Sequence, residues 1–544
     1  MEQLIRGPEG LPAWRPSAPI ERDALRDTVL GFLDTCGTSF GRATHYNSRD
    51  AQQRAELAAH RAMLGLDRDL YALFLLLPGS TDRSAQVGLK NLLGTVRNGA
   101  ATTLIGPAGE KEVLYRLVRE LPPQRALKLF TALRHGSEKD GIPRANNART
   151  RKLILRTILG SPKLDLWVVK YRRKVRDALT HAWGRRMTSI IKTILTKPGR
   201  EWDAKEKAIL HRHLRRYVPM GKSPMAVVCV SFVLGNDRAH WLEHWPVDLI
   251  QAREEAKQDF EKGSRLPPEV LEGLRSVYHK DRPKEEVLKA AAAAGTMTKG
   301  QRLEVQKRAK AAGVEVEVNF DSYDLVKLYI YAFENGVNEE LAAALERKAK
   351  EAGKALPLRH NHVAIVVDGS VSMYGNKTQP LRPMATALAM RDVLMWTAAG
   401  TVKVIYAGGS RSAVVSPGQY DVTMIWPEGG TDLASSLLVA LETESDVVYV
   451  ISDGYENMPS GRFAQALACA RDVGVHTPVF HINPVFAAES KGVRELAPGL
   501  APTLPVQNPA AMATGFVRGL IETDPVQGIN TLVGMTLPAL MEGA

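Results

Sequence analysis

Cysteine is nearly absent: the 544 residues hold three, Cys36, Cys229 and Cys469. Three widely spaced thiols build neither a disulfide framework nor a CxxC zinc site, and a reducing compartment suits them best. Long apolar runs are missing as well. The densest, Leu70–Pro78, falls far short of the ~18 residues that cross a bilayer, and the opening Met-Glu-Gln-Leu-Ile-Arg-Gly-Pro has no apolar signal core. A cytoplasmic protein with no membrane contact is expected. The balance of 44% hydrophobic and 24% charged residues is that of an ordinary folded chain, which excludes wholesale disorder. At ~100–200 residues per domain, this length calls for several compact units.

What is present is positive charge, and it is concentrated. Between Gly141 and Met220 stand 21 Lys and Arg against five acids, a net of +16, so that of the chain's total of +13 the other 464 residues contribute −3. A polyanion site has this footprint in sequence. Inside the window, Leu164, Val168, Tyr171, Val175, Leu179 and Ala182 recur every three or four residues and predict one helix over Leu164–Trp183. Lys163, Lys170, Arg173 and Arg176 then fall on the opposite half, with Arg172 and Lys174 on its flanks. Pro162 suits the first turn and Gly184 the C-terminal cap. Arg185, Arg186, Arg212, Arg215 and Arg216 continue the run. A single charged helix is usually just a solvated face, but like charges this dense repel one another without a counter-ion. A nucleic acid supplies that counter-ion. No zinc-knuckle or RNP signature is present, so base reading does not follow.

From about Asp23 to Ala352 the periodicity is helical, in segments such as Ala51–Met63, Lys111–Glu120, Gln124–Arg134, Ala148–Leu159, Glu201–Arg216 and Pro268–Val277. The apolar run Ala226–Val233 reads as a buried helix. Helices in series with short turns imply stacked antiparallel pairs, an irregular α-solenoid. Lys284–Val314 reads as exposed helix or hinge, and the stretch from Ala355 to His362 as a linker.

After His362 the pattern changes to β-α alternation, which specifies an α/β Rossmann-like sheet with ligands at the carboxyl ends of its strands. Asp368-Gly-Ser370-Val-Ser372 follows the first strand, Glu428-Gly-Gly-Thr431-Asp432 opens a later helix, and Ser452-Asp453-Gly454 ends the strand after that. Three hydroxyls and two carboxylates are hard oxygen donors, suited to a divalent metal, Mg²⁺ or Mn²⁺. A site with few direct carboxylates leaves the cation able to take an acidic group from a partner. This set resembles the metal-ion-dependent adhesion site (MIDAS) of von Willebrand factor A domains. The resemblance implies that Ser370, Ser372 and Thr431 ligate the metal, while Asp368 and Asp453 act directly or through water.

A basic helical region (1–355, with its charge in 141–220) followed by an A domain (356–544) is similar to the Ro autoantigen family, the TROVE-domain proteins. That resemblance implies a multi-domain chain in which an all-α, HEAT-like helical repeat forms a ring. It implies a ribonucleoprotein that binds small non-coding RNA on the outside and single-stranded, often misfolded RNA ends through the hole. RNA quality control, or service as an adaptor to a nuclease, would be the role. The rival is an A-domain partner of an AAA+ motor of the MoxR or chelatase type, but the basic helical region is unlike the acidic or disordered linker expected there.

Catalysis is not expected. His240-Trp-Leu-Glu243-His244 fits the HxxEH zinc pattern, yet Pro246 would end that helix at once. Gly221-Lys222-Ser223 lacks the first glycine of a phosphate-binding loop, since Arg216 stands there, and the strand-like run follows it instead of preceding it.

Overall fold

The computed structural model describes residues 13–16, 19–37, 49–97, 104–136, 144–236, 247–356, 359–376, 379–407, 412–415, 422–457, 459–487 and 492–541. They form a helical unit and an α/β unit, and the chain is not divided between them by a single cut near residue 355. Residues 89–96 and 114–318 make the helical unit; residues up to 88, 97–113 and 319–544 make the other. The HxxEH segment, 240–244, lies outside the described residues.

The helical unit carries the basic window. Its relevant helices are α1 (Pro123–His135), α2 (Ala148–Leu159), α3 (Leu164–Lys170), α4 (Arg172–Trp183), α5 (Arg185–Ile194), α6 (Ala204–His213) and α7 (Ser223–Leu234). Local chemistry sets their ends. Asn147 caps α2 by accepting from the Thr150 N–H at 3.0 Å, and Asp203 and Glu206 form a reciprocal capping box at the start of α6. At the end of α4, Gly184 takes φ 81°, a left-handed value that suits glycine. Every residue of α7 from Ala226 to Leu234 is buried, as its apolar run led us to expect.

The helix expected over Leu164–Trp183 is two helices, parted at Tyr171, where φ is −123° and ψ 32°. The reason is packing. α3 lies mainly against α7 and the helix Asp248–Glu255, while α4 touches α7 at its start and lies mainly against α1 and α2. One straight rod could not bury the same stripe against both groups, so the stripe continues while the backbone breaks.

In the α/β unit, Val363–Asp368 (β1), Val402–Ala407 (β2), Ser412–Val415 (β3), Val447–Ile451 (β4), Val479–Asn483 (β5) and Thr503–Pro505 (β6) form one sheet. The order is β6-β5-β4-β1-β2-β3, parallel throughout except for β3, which runs antiparallel to β2. β1 and β4 are buried at every position, which is why they read as unbroken aliphatic runs. Helices α8 (Leu325–Asn335), α9 (Arg382–Met395), α10 (Leu433–Leu441), α11 (Arg462–Asp472) and α12 (Met512–Thr523) belong to the same unit. The chain goes from β1 outward to β2 and β3, then returns to the other side of β1 as β4. β1 and β4 therefore flank the topological switch point, where a doubly wound sheet opens a crevice.

The N-terminal helix Arg22–Gly37 is tied to this unit by buried polar bonds. Arg518 Nε donates to Asp34 Oδ1 at 3.0 Å, the Val493 N–H to Asp34 Oδ2 at 3.1 Å, and the Gln507 N–H to the Gly37 carbonyl at 2.8 Å. Elsewhere in the unit, Arg391 on α9 is 1% exposed and donates to Asp392 at 2.7 Å, to the Tyr406 hydroxyl at 2.9 Å and to the Tyr329 hydroxyl of α8 at 3.1 Å. Among the described residues, no helix is long and apolar enough to cross a membrane.

Candidate metal centre and cationic surface

The switch point brings the hydroxyl and carboxylate residues together. Asp368 closes β1; Ser452 and Asp453 follow β4 directly. Asp368 Oδ1 accepts from the Ser370 N–H at 2.9 Å, and its Oδ2 accepts from the Ser452 hydroxyl at 2.7 Å. The Ser370 and Ser372 hydroxyls lie 2.9 Å apart. The loop bearing Thr431 is drawn in by the backbone, with Val371 N–H donating to the Gly429 carbonyl at 3.2 Å and Glu428 N–H to the Gly369 carbonyl at 2.8 Å. Thr431 itself donates its N–H to Asn457 Oδ1 at 3.0 Å.

Two glycines permit this convergence. Gly369 donates its N–H to the Ala407 carbonyl, and a Cβ there would stand 3.1 Å from that same oxygen. Gly454 has φ +79°, and its Cβ would meet the Arg494 carbonyl at 2.8 Å. Asp432, beside Thr431, is used differently: it caps α10 by accepting from the Ser435 N–H at 3.1 Å.

Asp368, Ser370, Thr431 and Asp453 are each at most 2% exposed, and Ser372 is half-buried. Burial pushes the Asp368 carboxyl up, against hydrogen bonds from Ser452 and Ser370 that favour its anion. Asp453 is also pushed up, first by burial and then by the charge of Asp368. Two oxygens face no donor among the described residues: Thr431 Oγ1 and Asp453 Oδ2 are buried without a hydrogen-bond partner. Orphaned buried oxygens are expensive. Two carboxylates raising each other's energy beside an unsatisfied hydroxyl are what a hard cation relieves, so the residues present fit Mg²⁺ or Mn²⁺. Ser370, Ser372, Thr431, Asp368 and Asp453 would hold it, and bound there it would supply an electrophilic position for an acidic group.

Ser452 and Asn457 were not singled out from sequence. Ser452 could have been, because it directly precedes Asp453 at the end of a buried strand. Nothing in the sequence marks Asn457.

On the helical unit, the eleven basic residues expected to face RNA divide into two groups. Lys163, Arg173, Lys174, Arg176, Arg185, Arg186, Arg212 and Arg216 are exposed, and none pairs with a carboxylate among the described residues. Arg216, though exposed, also donates to the hydroxyl of its neighbour Tyr217, and the remaining three are engaged with protein. Lys170 meets Glu269 at 2.7 Å, and Arg215 lies over the Trp202 ring at 5.3 Å. Arg172 donates through Nε and Nη2 to the Phe232 carbonyl at 3.1 and 2.8 Å.

No family model matches the chain, and no curated protein matches its sequence.

The first turns of α2, α4 and α5 hold no acidic residue, and each carries arginine instead: Arg149 in α2, Arg172 and Arg173 in α4, Arg185 and Arg186 in α5. A helix N-terminus already bears a partial positive charge, and acids there stabilise by roughly 0.3–1 kcal/mol each, so cations stand on the wrong end. Arg149 and Arg172 turn to backbone carbonyls of the protein itself, those of Leu92, Thr95 and Phe232, while Arg173, Arg185 and Arg186 stay exposed at positive helix starts, an arrangement that an anion stabilises.

Proposed function

We propose that the chain binds RNA through the cationic face of its helical unit and acts as a binding protein, not an enzyme. The observation that carries this reading is the set of eight exposed Lys and Arg side chains without carboxylate partners among the described residues, five of them on α4 and α5, whose first turns carry no acid. Small structured RNA and single-stranded RNA ends are the ligands this reading takes from the resemblance to Ro proteins, with a HEAT-like repeat as their platform. The switch-point site is read as a divalent-metal centre that docks an acidic group of a protein partner, such as a nuclease, in the cytoplasm. Quality control of misfolded RNA, or its delivery to that partner, is the role that unites the two surfaces.

The test is direct. Purified protein is titrated into labelled small RNA, alongside the variant Arg173→Glu, Lys174→Glu, Arg176→Glu. Loss of binding with an unchanged melting temperature supports the reading; equal binding by both proteins defeats it. Arg172 is left out of the variant because its packing against Phe232 would confound affinity with stability.

A further inference from the structure

A second cationic cluster lies at the opposite end of α4 from Arg172–Arg176. His181, in the last turn of α4, is 8% exposed, and its Nε2 lies 3.1 Å from Asn146 Oδ1. Arg151, one turn into α2, grips the same oxygen through Nε at 3.3 Å and Nη2 at 3.2 Å. Since that oxygen can only accept, His181 donates from Nε2. Its Nδ1 is then a bare lone pair, buried and without a partner among the described residues. The segment bearing Arg144 and Asn146 is held to the end of α1 by the Ala145 N–H, which donates to the Leu133 carbonyl at 2.8 Å. That bond places Arg134 and His135, the last residues of α1, in the same neighbourhood.

The surroundings of His181 are of one sign. Burial lowers its affinity for a proton, to a pKa of about 4, and the further causes are all basic side chains: Arg134, Arg151, His135 and Arg144. None of these five side chains has a carboxylate partner among the described residues, and Arg144, Arg151 and His135 are exposed. One amide oxygen is shared by an imidazole and a guanidinium, where each would take an oxygen of its own.

We infer that Arg134, Arg144 and Arg151, gathered around His181 and Asn146, form a binding site for a phosphate monoester. Two considerations select the monoester. Its dianion matches several converging cations better than the single charge of a phosphodiester linkage, and its three terminal oxygens can accept from Arg forks while one shares a proton with His181 Nδ1. The proton comes either from an imidazolium, which the anion stabilises, or from the phosphate monoanion; the hydrogen bond is the same in both cases.

This inference rests on the RNA reading only for its source of phosphate: the 5′-phosphorylated end of an RNA chain and a free phosphorylated small molecule offer the same group. The experiment separates them. Full-length protein is titrated at fixed salt with a 5′-phosphorylated oligoribonucleotide of about a dozen nucleotides, with its 5′-hydroxyl twin, and with inorganic phosphate followed by thermal shift. Each titration is repeated on Arg144→Gln/Arg151→Gln, whose exposed side chains leave the fold intact, and on Arg144→Lys/Arg151→Lys, which keeps charge but loses the bidentate fork.

The expected result is about tenfold tighter binding of the phosphorylated RNA than of its twin, a preference lost in the Gln variant and weakened in the Lys variant. Should neither RNA bind while inorganic phosphate still raises the melting temperature of the wild type and not of the Gln variant, the phosphate site stands and the RNA reading falls. No response to phosphate in either form, or a response that the Gln variant retains in full, overturns the inference.

Discussion

Arg172 lies over the ring of Phe232, its guanidinium carbon 4.3 Å from the centroid, while its Nε and Nη2 both donate to the carbonyl of that same residue. A side chain counted among RNA contacts on charge alone is thus used to fasten the start of α4 to α7. Replacing it with Ala should lower stability by about 2 kcal/mol, the sum of a charge-assisted hydrogen bond and a cation–π contact. Urea denaturation measures this. A variant with unchanged stability and weakened RNA binding would return Arg172 to the exposed group.

The metal centre gives a prediction with opposite signs in two conditions. Thr431→Val removes a buried hydroxyl that has no partner among the described residues. In the presence of EDTA it should be neutral or stabilising, since an unsatisfied buried polar group costs about 1–3 kcal/mol. With Mg²⁺ at 100 times its dissociation constant, the wild type should gain ~2.7 kcal/mol and the variant less. Asp368→Ala should abolish the gain. Differential scanning fluorimetry with and without Mg²⁺ distinguishes these outcomes, and identical melting shifts in all three proteins would refute the assignment.

Acid should destabilise the α/β unit through two buried histidines. His60 and His481 are both lowered from 6.5 to about 3, chiefly by burial. Each therefore stays neutral in the fold and takes up its proton on unfolding. The unfolded chain binds more protons between pH 6.5 and about 3, so stability rises with pH across that window and is lost as pH falls through it, by up to ~1.4 kcal/mol per pH unit for each histidine. Equilibrium unfolding at pH 7, 6 and 5 checks the slope, and His60→Gln should reduce it.

Arg518 holds Asp34 across 484 residues of chain, with 4% and 5% of their side chains exposed. Arg518→Ala leaves a buried carboxylate short of its cation, a loss of about 3–5 kcal/mol. Adding Asp34→Leu should recover much of it, because an apolar pair replaces a stranded charge. A double mutant no more stable than Arg518→Ala would show that the stranded Asp34 charge is not what the single substitution costs.

The α/β unit was legible where burial is two-sided. β1, β4 and α9–α11 announce themselves by aliphatic runs and helical periodicity, and the three loops of the candidate site follow from where those strands end. β3 and β6, four and three residues long, carry no periodic signal. The attachment of the helix Arg22–Gly37 to the C-terminal elements was not legible either, because it depends on a contact between Asp34 and Arg518 that no local pattern encodes. In the helical unit the opposite limit applies. The stripe from Leu164 to Ala182 is buried except at half-buried Tyr171, but periodicity does not say that its two halves face mainly different neighbours, and it gives no sign of the break there. Charge counting found the basic window and could not separate Arg172, Lys170 and Arg215, which are engaged with protein, from the eight that are exposed.

RNA affinity measured against salt tests the central proposal most directly. With about six phosphates neutralised, log K should fall linearly with log salt, losing ~10³-fold or more between about 50 and 200 mM. The slope should flatten by about three in Arg173→Gln, Lys174→Gln, Arg176→Gln, which removes three phosphate contacts. Affinity that is independent of salt, or a slope that the triple variant leaves untouched, would contradict the account.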